Sequence, residues 1–225
     1  AVEAASPRPD LSSLEVVLLG GSQLGGELAE RGLKILGPVV HNLYGSTEVA
    51  YATIATPEDL AAEPATVGRP VLGTVVRILD ESGKSVRQGE IGRVFVRNLM
   101  PFDGYTGGGS KEVIDGLMAT GDVGHFDQAG RLFIDGRDDE MIVSGGENVF
   151  PREVEELLIT MDGVSDVAVL GAEDADFGQR LRAFVVLDAG ASVSEDEVKN
   201  FVKENLARYK VPRDFVFLEE LPRNA

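Results

Sequence analysis

Short apolar runs set the rhythm of the first part of the chain. "LEVVLL" (14–19) stops at Gly20-Gly21, which predicts a buried strand ending in a tight turn. "GGELAERGLKIL" predicts a short helix, and "PVVHNL" a second strand. Strand, helix and strand at this spacing predict a parallel α/β unit. From about Val67 the texture changes. "GTVVRILDESGKSVRQGEIGRVFVRN" alternates short β-rich runs with Ser-Gly, Gln-Gly and Ile-Gly turns, the pattern of antiparallel sheet or a small barrel. "GYTGGGSKE" reads as a flexible loop and "GRLFIDGR" as a closing strand.

After the charged "GRDDE" the pattern changes again. Pro151 suits a first helical turn, and Val154, Leu157, Leu158 and Met161 follow at helical spacing. "DVAVLGA", "RAFVVLD" and "DFVFLEEL" predict strands, and Ser194 with Glu197 has capping-box spacing ahead of Val198, Phe201 and Val202. The predicted fold class is therefore α/β plus a β-rich subdomain, followed by a small α+β C-terminal domain. The expected segments are 1–66, 67–137 and 138–225. No internal repeat or low-complexity segment interrupts them.

Composition narrows the function classes. The chain has 225 residues and is 43% hydrophobic, enough for one large or two modest packed domains. It contains no cysteine, which excludes a disulfide framework and a cysteine nucleophile and fits a reducing compartment. A net charge of −17 argues against non-specific nucleic-acid binding, which needs clustered cations. No apolar run is long enough to span a bilayer, and "AVEAASPRPD" reads as neither a signal nor a transit peptide. The first residue is not methionine, which points to a processed or partial chain. Two histidines exclude a histidine-rich metal site; His41 reads as structural and His125 as a polar loop residue.

Four glycine-containing clusters remain: Gly20-Gly21-Ser22, "YGSTE" (44–48), "MATGDVG" (118–124) and "DGRDDEMIVSGGENVFP" (135–151). Each alone has an ordinary reading as turn chemistry. Together and in this order they resemble the adenylate-forming (ANL) superfamily of acyl-CoA synthetases, luciferases and peptide-synthetase adenylation domains. The acyl-CoA synthetase (fatty-acid–CoA ligase) branch is the most similar. "YGSTE" resembles the family's Tyr-Gly-x-Thr-Glu, "GEIGRVFVRN" its Gly-Glu-x-Gly strand pair, "ATGDVG" its Thr-Gly-Asp and "DGRDDEMIVSGGENVFPREVE" its Gly-Arg hinge motif. The closing "LPRNA" resembles the stem of a motif that normally continues into Thr-Gly-Lys.

The resemblance implies roles that suit the residue types. Tyr44 would stack on adenine, with Gly20, Gly21, Ser22 and Gly45 allowing close backbone approach. Thr47 would hold phosphate oxygens, and Glu48 would be the catalytic carboxylate that holds Mg2+ against them. Asp122 would accept hydrogen bonds from the ribose hydroxyls, and Arg137 would donate to the ribose. Asp139 matches the hinge about which the C-terminal domain rotates between two poses. Gly145 and Gly146 resemble the glycines that line a pantetheine tunnel, Gly146 above all. The alternatives are a core ring for Tyr44, a solvated charge for Glu48 and a turn aspartate for Asp122.

The implied activity is an ATP-dependent acid–thiol ligase that forms an acyl-adenylate and then a coenzyme A thioester, using ATP, Mg2+ and coenzyme A. Its expected substrate is a fatty or related carboxylic acid, and its expected location the cytoplasm, with peripheral membrane association left open. Alternatives are delivery to a carrier-protein phosphopantetheine, and a non-catalytic folding or interaction module. The family's phosphate loop does not precede Leu11 and its late lysine does not precede Ala225, so the chain is expected to be the C-terminal portion of a larger ligase. Segment 1–66 would be a remnant of the large N-terminal domain, and the chain alone is expected to lack ATP–pyrophosphate exchange.

Overall fold

The first strand does stop at Gly20-Gly21, and a helix carries the chain back to lay a parallel neighbour beside it. The computed structural model describes residues 9–100, 102–174 and 176–222. They fold as two compact units, 1–134 and 135–225. In the first, β1 (Val17–Leu19), α1 (Gly26–Leu36) and β2 (Val40–Tyr44) form the expected parallel unit, with Val17 opposite Val40 and Leu19 opposite Asn42. β3 (Thr53–Ala55) returns antiparallel to β2, α2 (Pro57–Ala62) follows, and β4 (Arg69–Pro70) completes the order β1-β2-β3-β4. Ala29 and Leu33 of α1 pack with Leu24, Val40, Ala55 and Leu60.

One expectation is corrected here. The strand within "LEVVLL" is not buried: Val16 is 59% and Leu18 53% exposed. Among the described residues β1 is a three-residue edge strand with a neighbour on one side, so burial on both faces does not follow from its apolar run.

A second sheet contains β5 (Val75–Leu79), β6 (Gly92–Arg97), β7 (Val113–Ile114) and β8 (Leu117–Phe126) in the order β5-β6-β8-β7, with β9 (Leu132–Arg137) also on β8. Val76, Ile78, Val94, Val96 and Leu132 form a core that Val49, Ala52 and Val67 enter from the side of the first sheet. A pair of backbone hydrogen bonds stitches the two sheets together. Val67 N–H donates to Leu132 O at 2.9 Å, and Leu132 N–H donates to Gly68 O at 2.7 Å. Gly68 has φ +85°, and a Cβ there would lie 2.1 Å from the Ile54–Ala55 backbone, so only glycine lets the segments approach. Residues 67–134 thus lie in the same unit as 1–66, and β9 runs through the junction at Ile134 and Asp135.

The second unit is α+β. β10 (Ile142–Ser144) and β11 (Glu147–Val149) form a hairpin; α3 (Pro151–Leu158), β12 (Val164–Asp174), β13 (Gly178–Leu187), α4 (Glu195–Asn205) and β14 (Asp214–Leu218) follow. The sheet order is β11-β10-β13-β12, with β14 parallel to β13. Val154 and Leu158 of α3 and Val198 and Val202 of α4 pack with Val169, Leu181, Ala183 and Val185 of the sheet. Ser194 and Glu197 form the expected capping box. Helix α3 ends at Leu158, so Met161 lies beyond it, yet it still packs against this core. Among the described residues no helix is long and apolar enough to cross a membrane.

Candidate functional site

Because β1 and β2 are parallel, their carboxyl ends lie side by side, and these ends carry Gly20 and Tyr44. In parallel α/β sheets such ends are where ligands bind. A Cβ on Gly20 would lie 3.3 Å from Leu43 O, so the turn packs tightly on β2. Gly21 has φ +88° with open space around it, and Ser22 is exposed beside it.

The loop after Tyr44 is compact. Ala52 N–H donates to Tyr44 O at 2.8 Å. A Cβ on Gly45 would fall 1.9 Å from Ala50 O, so the close approach itself requires glycine. Ala50 takes φ +52°, an uncommon value for a residue with a side chain. Thr47 is exposed at the tip, and Glu48 is half-buried.

Thr120-Gly121-Asp122 lies within β8 rather than in a turn between elements. The β6–β8 register shifts here: Arg93 pairs with Val123, but Phe95 pairs with Ala119. The residues in excess on β8 bulge out, with Gly121 at φ +85°. Thr120 Oγ1 accepts Asp122 N–H at 3.1 Å and donates to Val94 O at 3.1 Å, which fixes the bulge. The bulge brings Asp122 to Tyr44, whose hydroxyl donates to Asp122 Oδ2 at 2.6 Å across 78 residues of sequence. The adenine-type ring and the ribose-type carboxylate of the sequence analysis therefore meet directly.

Glu48 is held by two hydroxyls. Tyr105 Oη donates to Oε1 at 2.5 Å and Ser46 Oγ to Oε2 at 2.8 Å. These bonds, Tyr105 first, hold its carboxyl below the ordinary value of 4.5. A carboxylate oxygen has more than one lone pair, so each retains acceptor capacity toward a cation. Among the described residues no group of three or more His, Asp or Glu side chains forms a metal cage. A single ionised carboxylate fits Mg2+ better than Zn2+, because Mg2+ completes its shell with phosphates and water. Glu48 would hold such an ion.

In the second unit, Arg137 Nε donates to Asp139 Oδ1 at 3.2 Å, and the Asp139 side chain is 74% exposed. Asp139 lies in a single 3-10 turn, Asp138–Glu140. Gly145 and Gly146 are the two loop residues of the β10–β11 hairpin, between the paired Ser144 and Glu147. Their φ values of +62° and +87° are those that two-residue hairpins demand of glycine. Gly145 N–H donates to Phe177 O at 3.0 Å, and a Cβ on Gly145 would strike the Phe177 ring at 2.9 Å. Gly146 has nothing within 4 Å of its Cβ position, so space is open there. Arg213 lies over the Phe177 ring at 3.6 Å.

His41 Nδ1 bonds to Val39 O at 3.0 Å, a local structural contact. His125 is not a loop residue: it lies in β8 and stacks on Phe133 at 5.2 Å. The final "RNA" of the chain lies outside the described residues, as does the opening "AVEAASPR".

Residues 1–106 match the family model of AMP-binding enzymes, and residues 153–225 match that of the AMP-binding enzyme C-terminal domain. The chain belongs to the AMP-binding enzyme family. The chain is 36% identical over 224 residues to the indoleacetate–CoA ligase of Aromatoleum aromaticum, an alignment that covers 96% of this chain and 43% of that protein. It is similar to o-succinylbenzoate CoA synthetase (MenE) from Bacillus subtilis in complex with an acyl-adenylate intermediate, with TM-score 0.84 and 31% identity over 95% of this chain and 46% of that one. It is also similar to the amide bond synthetase McbA from Marinactinospora thermotolerans, with TM-score 0.86 and 33% identity over 98% of this chain and 46% of that one. The chain spans less than half the length of these relatives.

Two contacts in this chain lie outside the sequence reading. Tyr105 belongs to the stretch read only as a flexible loop, yet it reaches Glu48. Asn98 Nδ2 donates to Val49 O at 2.5 Å, steadying the loop that carries Thr47 and Glu48. A lone tyrosine among four glycines was the one local signal for the first; the second has none, because it depends on how the segments after β2 and β6, from two different sheets, come together.

Proposed function

We propose that the protein carrying this chain is an ATP-dependent, AMP-forming acid–CoA ligase acting on a fatty or related carboxylic acid. The observation that supports this most is the 2.6 Å bond from Tyr44 to Asp122 at the carboxyl end of β2. It sets a ring face for adenine beside a carboxylate for the ribose hydroxyls. The backbone at Gly20, Gly21 and Ser22 takes the side of the base away from Tyr44, and Gly45 lets the chain pass close to it. Arg137 donates to the ribose. The exposed Thr47 hydroxyl donates to phosphate oxygens, and Glu48 holds Mg2+. When bound, that ion neutralises phosphate charge.

With ATP so held, an oxygen of the substrate carboxylate attacks the α-phosphorus in line, and the bond to pyrophosphate breaks. The acyl-adenylate stays on Tyr44 and Asp122. The thiol of coenzyme A then loses its proton, its sulfur attacks the acyl carbon, and AMP leaves. In this reading residues 138–225 are the mobile C-terminal domain, and Asp139 is its pivot. The Arg137–Asp139 pair is exposed, so breaking it costs about 1 kcal/mol or less, as a pivot requires. Gly146 leaves room for the pantetheine arm. The proposed location is cytoplasmic.

The likeness to an amide bond synthetase favours a second reading, in which the same adenylate passes to an amine. A carrier-protein thiol is a third acceptor of the same chemistry. The deciding experiment supplies the protein with ATP, Mg2+, a panel of fatty and aryl acids, and coenzyme A, an amine or a carrier protein. Acyl-CoA and AMP in equal amounts are expected, whereas ADP as product would overturn the reading. Tyr44→Phe keeps the ring and releases Asp122, so ATP should bind about tenfold more weakly and discriminate less against 2′-deoxy-ATP.

A further inference from the structure

The glycine-rich stretch after β6 has little reason to hold one conformation. Gly104, Gly108 and Gly109 take φ of +116°, +86° and +92°, and residues 105–110 are exposed. Such a loop forfeits much chain entropy when ordered and gains little burial in return.

Its contacts nevertheless converge on one residue. Tyr105 N–H donates to Gly109 O at 3.2 Å, and Gly108 N–H donates to Tyr105 O at 2.9 Å, closing a small turn around Tyr105. The Tyr105 ring meets Phe102 edge-on at 4.9 Å. At 45% exposure the ring is no core residue. What distinguishes it is the 2.5 Å bond from its hydroxyl to Glu48 Oε1, formed across 57 residues. At the start of the same loop, Asn98 binds Val49 O and Tyr51 O at 2.5 and 3.3 Å. The loop thus grips the 45–51 segment twice, by its backbone and by its carboxylate. Lys111, at the loop's other end, adds a positive charge near Glu48.

We propose that Tyr105 is a positioning residue: its hydroxyl fixes the plane of the Glu48 carboxylate, and that bond in turn orders loop 102–110. With Ser46 on Oε2, the two hydroxyls leave the carboxylate one orientation toward an incoming cation. The functional half of this inference rests on the reading of Glu48 as the Mg2+ carboxylate. The tether itself does not.

The test separates the two. Tyr105→Phe retains the ring and its Phe102 contact. Amide hydrogen exchange of 103–110, followed by mass spectrometry without ligand, should speed up about tenfold in Tyr105→Phe and in Glu48→Ala, and no further in the double variant. Tyr51→Phe, on the neighbouring loop, should leave it unchanged. Mn2+ binding in the presence of ATP, read by electron paramagnetic resonance, should weaken several-fold in Tyr105→Phe and more in Glu48→Ala. Unchanged exchange in Tyr105→Phe overturns the tether. Faster exchange with Mn2+ affinity lost in Glu48→Ala but intact in Tyr105→Phe overturns the positioning role. Faster exchange with Mn2+ affinity intact in both upholds the tether and overturns the metal reading of Glu48.

Discussion

Gly21 and Gly45 are glycines for different physical reasons, and substitution tells them apart. At Gly45 an added Cβ would sit 1.9 Å from Ala50 O, a main-chain atom that cannot swing away. Gly45→Ala must open the loop that carries Thr47 and Glu48. The expected loss in urea unfolding is about 2 kcal/mol or more, with nucleotide binding lost as well. At Gly21 the space is open and the only obstacle is φ +88°. Gly21→Ala should therefore cost about 1 kcal/mol of stability. If it nonetheless abolishes nucleotide binding, the space above Gly21 belongs to the ligand. A fall in stability as large as that of Gly45→Ala would refute this division.

Elements here are held at their seams by single side chains, and those seams are where sequence reading fails. Glu155 of α3 accepts Val169 N–H at 2.7 Å on β12, an edge strand of its sheet. Burial raises its carboxyl above the ordinary 4.5, and this outweighs the Val169 bond, which acts the other way. An acid with a raised folded value binds its proton more tightly in the folded state. Its contribution is present below 4.5 and is lost as pH rises through the raised value. Glu155→Gln keeps an acceptor for Val169 and has no charge to bury. Its urea midpoint should exceed that of the parent by a margin that grows from pH 4.5 upward; a constant margin would refute the assignment. The rest of this architecture was readable where one segment sufficed. The strand–helix–strand start, the two-strand stretch after Val67 and the Ser194 capping box needed no partner to be recognised. Helix α2 has its own capping box in Thr56 and Asp59, but six residues carry too little apolar period to declare it. Thr-Gly-Asp reads as a turn unless the register of β6 is known, because a bulge belongs to a pair of strands. Gly145-Gly146 carried a legible hairpin signal that a resemblance to tunnel glycines overshadowed. The site behaves likewise: Tyr44, Glu48 and Asp122 were visible as residue types, while the Tyr44–Asp122 and Tyr105–Glu48 bonds span 78 and 57 residues.

At the scale of the whole molecule, charge dominates. A net −17 makes the folded chain repel itself and repel a nucleotide of like sign. Added salt screens both effects. Sodium chloride should raise the thermal midpoint and, in stopped flow, speed association of Mg2+–ATP; slower association at higher salt would show that local cations outweigh the overall field. The distribution of aromatic side chains has another consequence. The chain holds four tyrosines and no tryptophan. Two of the four, Tyr44 and Tyr105, give their hydroxyl protons to carboxylates at the proposed site. With no indole in the chain to mask them, the ultraviolet emission of residues 1–225 is that of their phenols, and a phenol bonded to a carboxylate is dimmed. A cation or ribose that shares the carboxylate weakens its pull on the phenol proton, so the emission of this chain changes when the site fills.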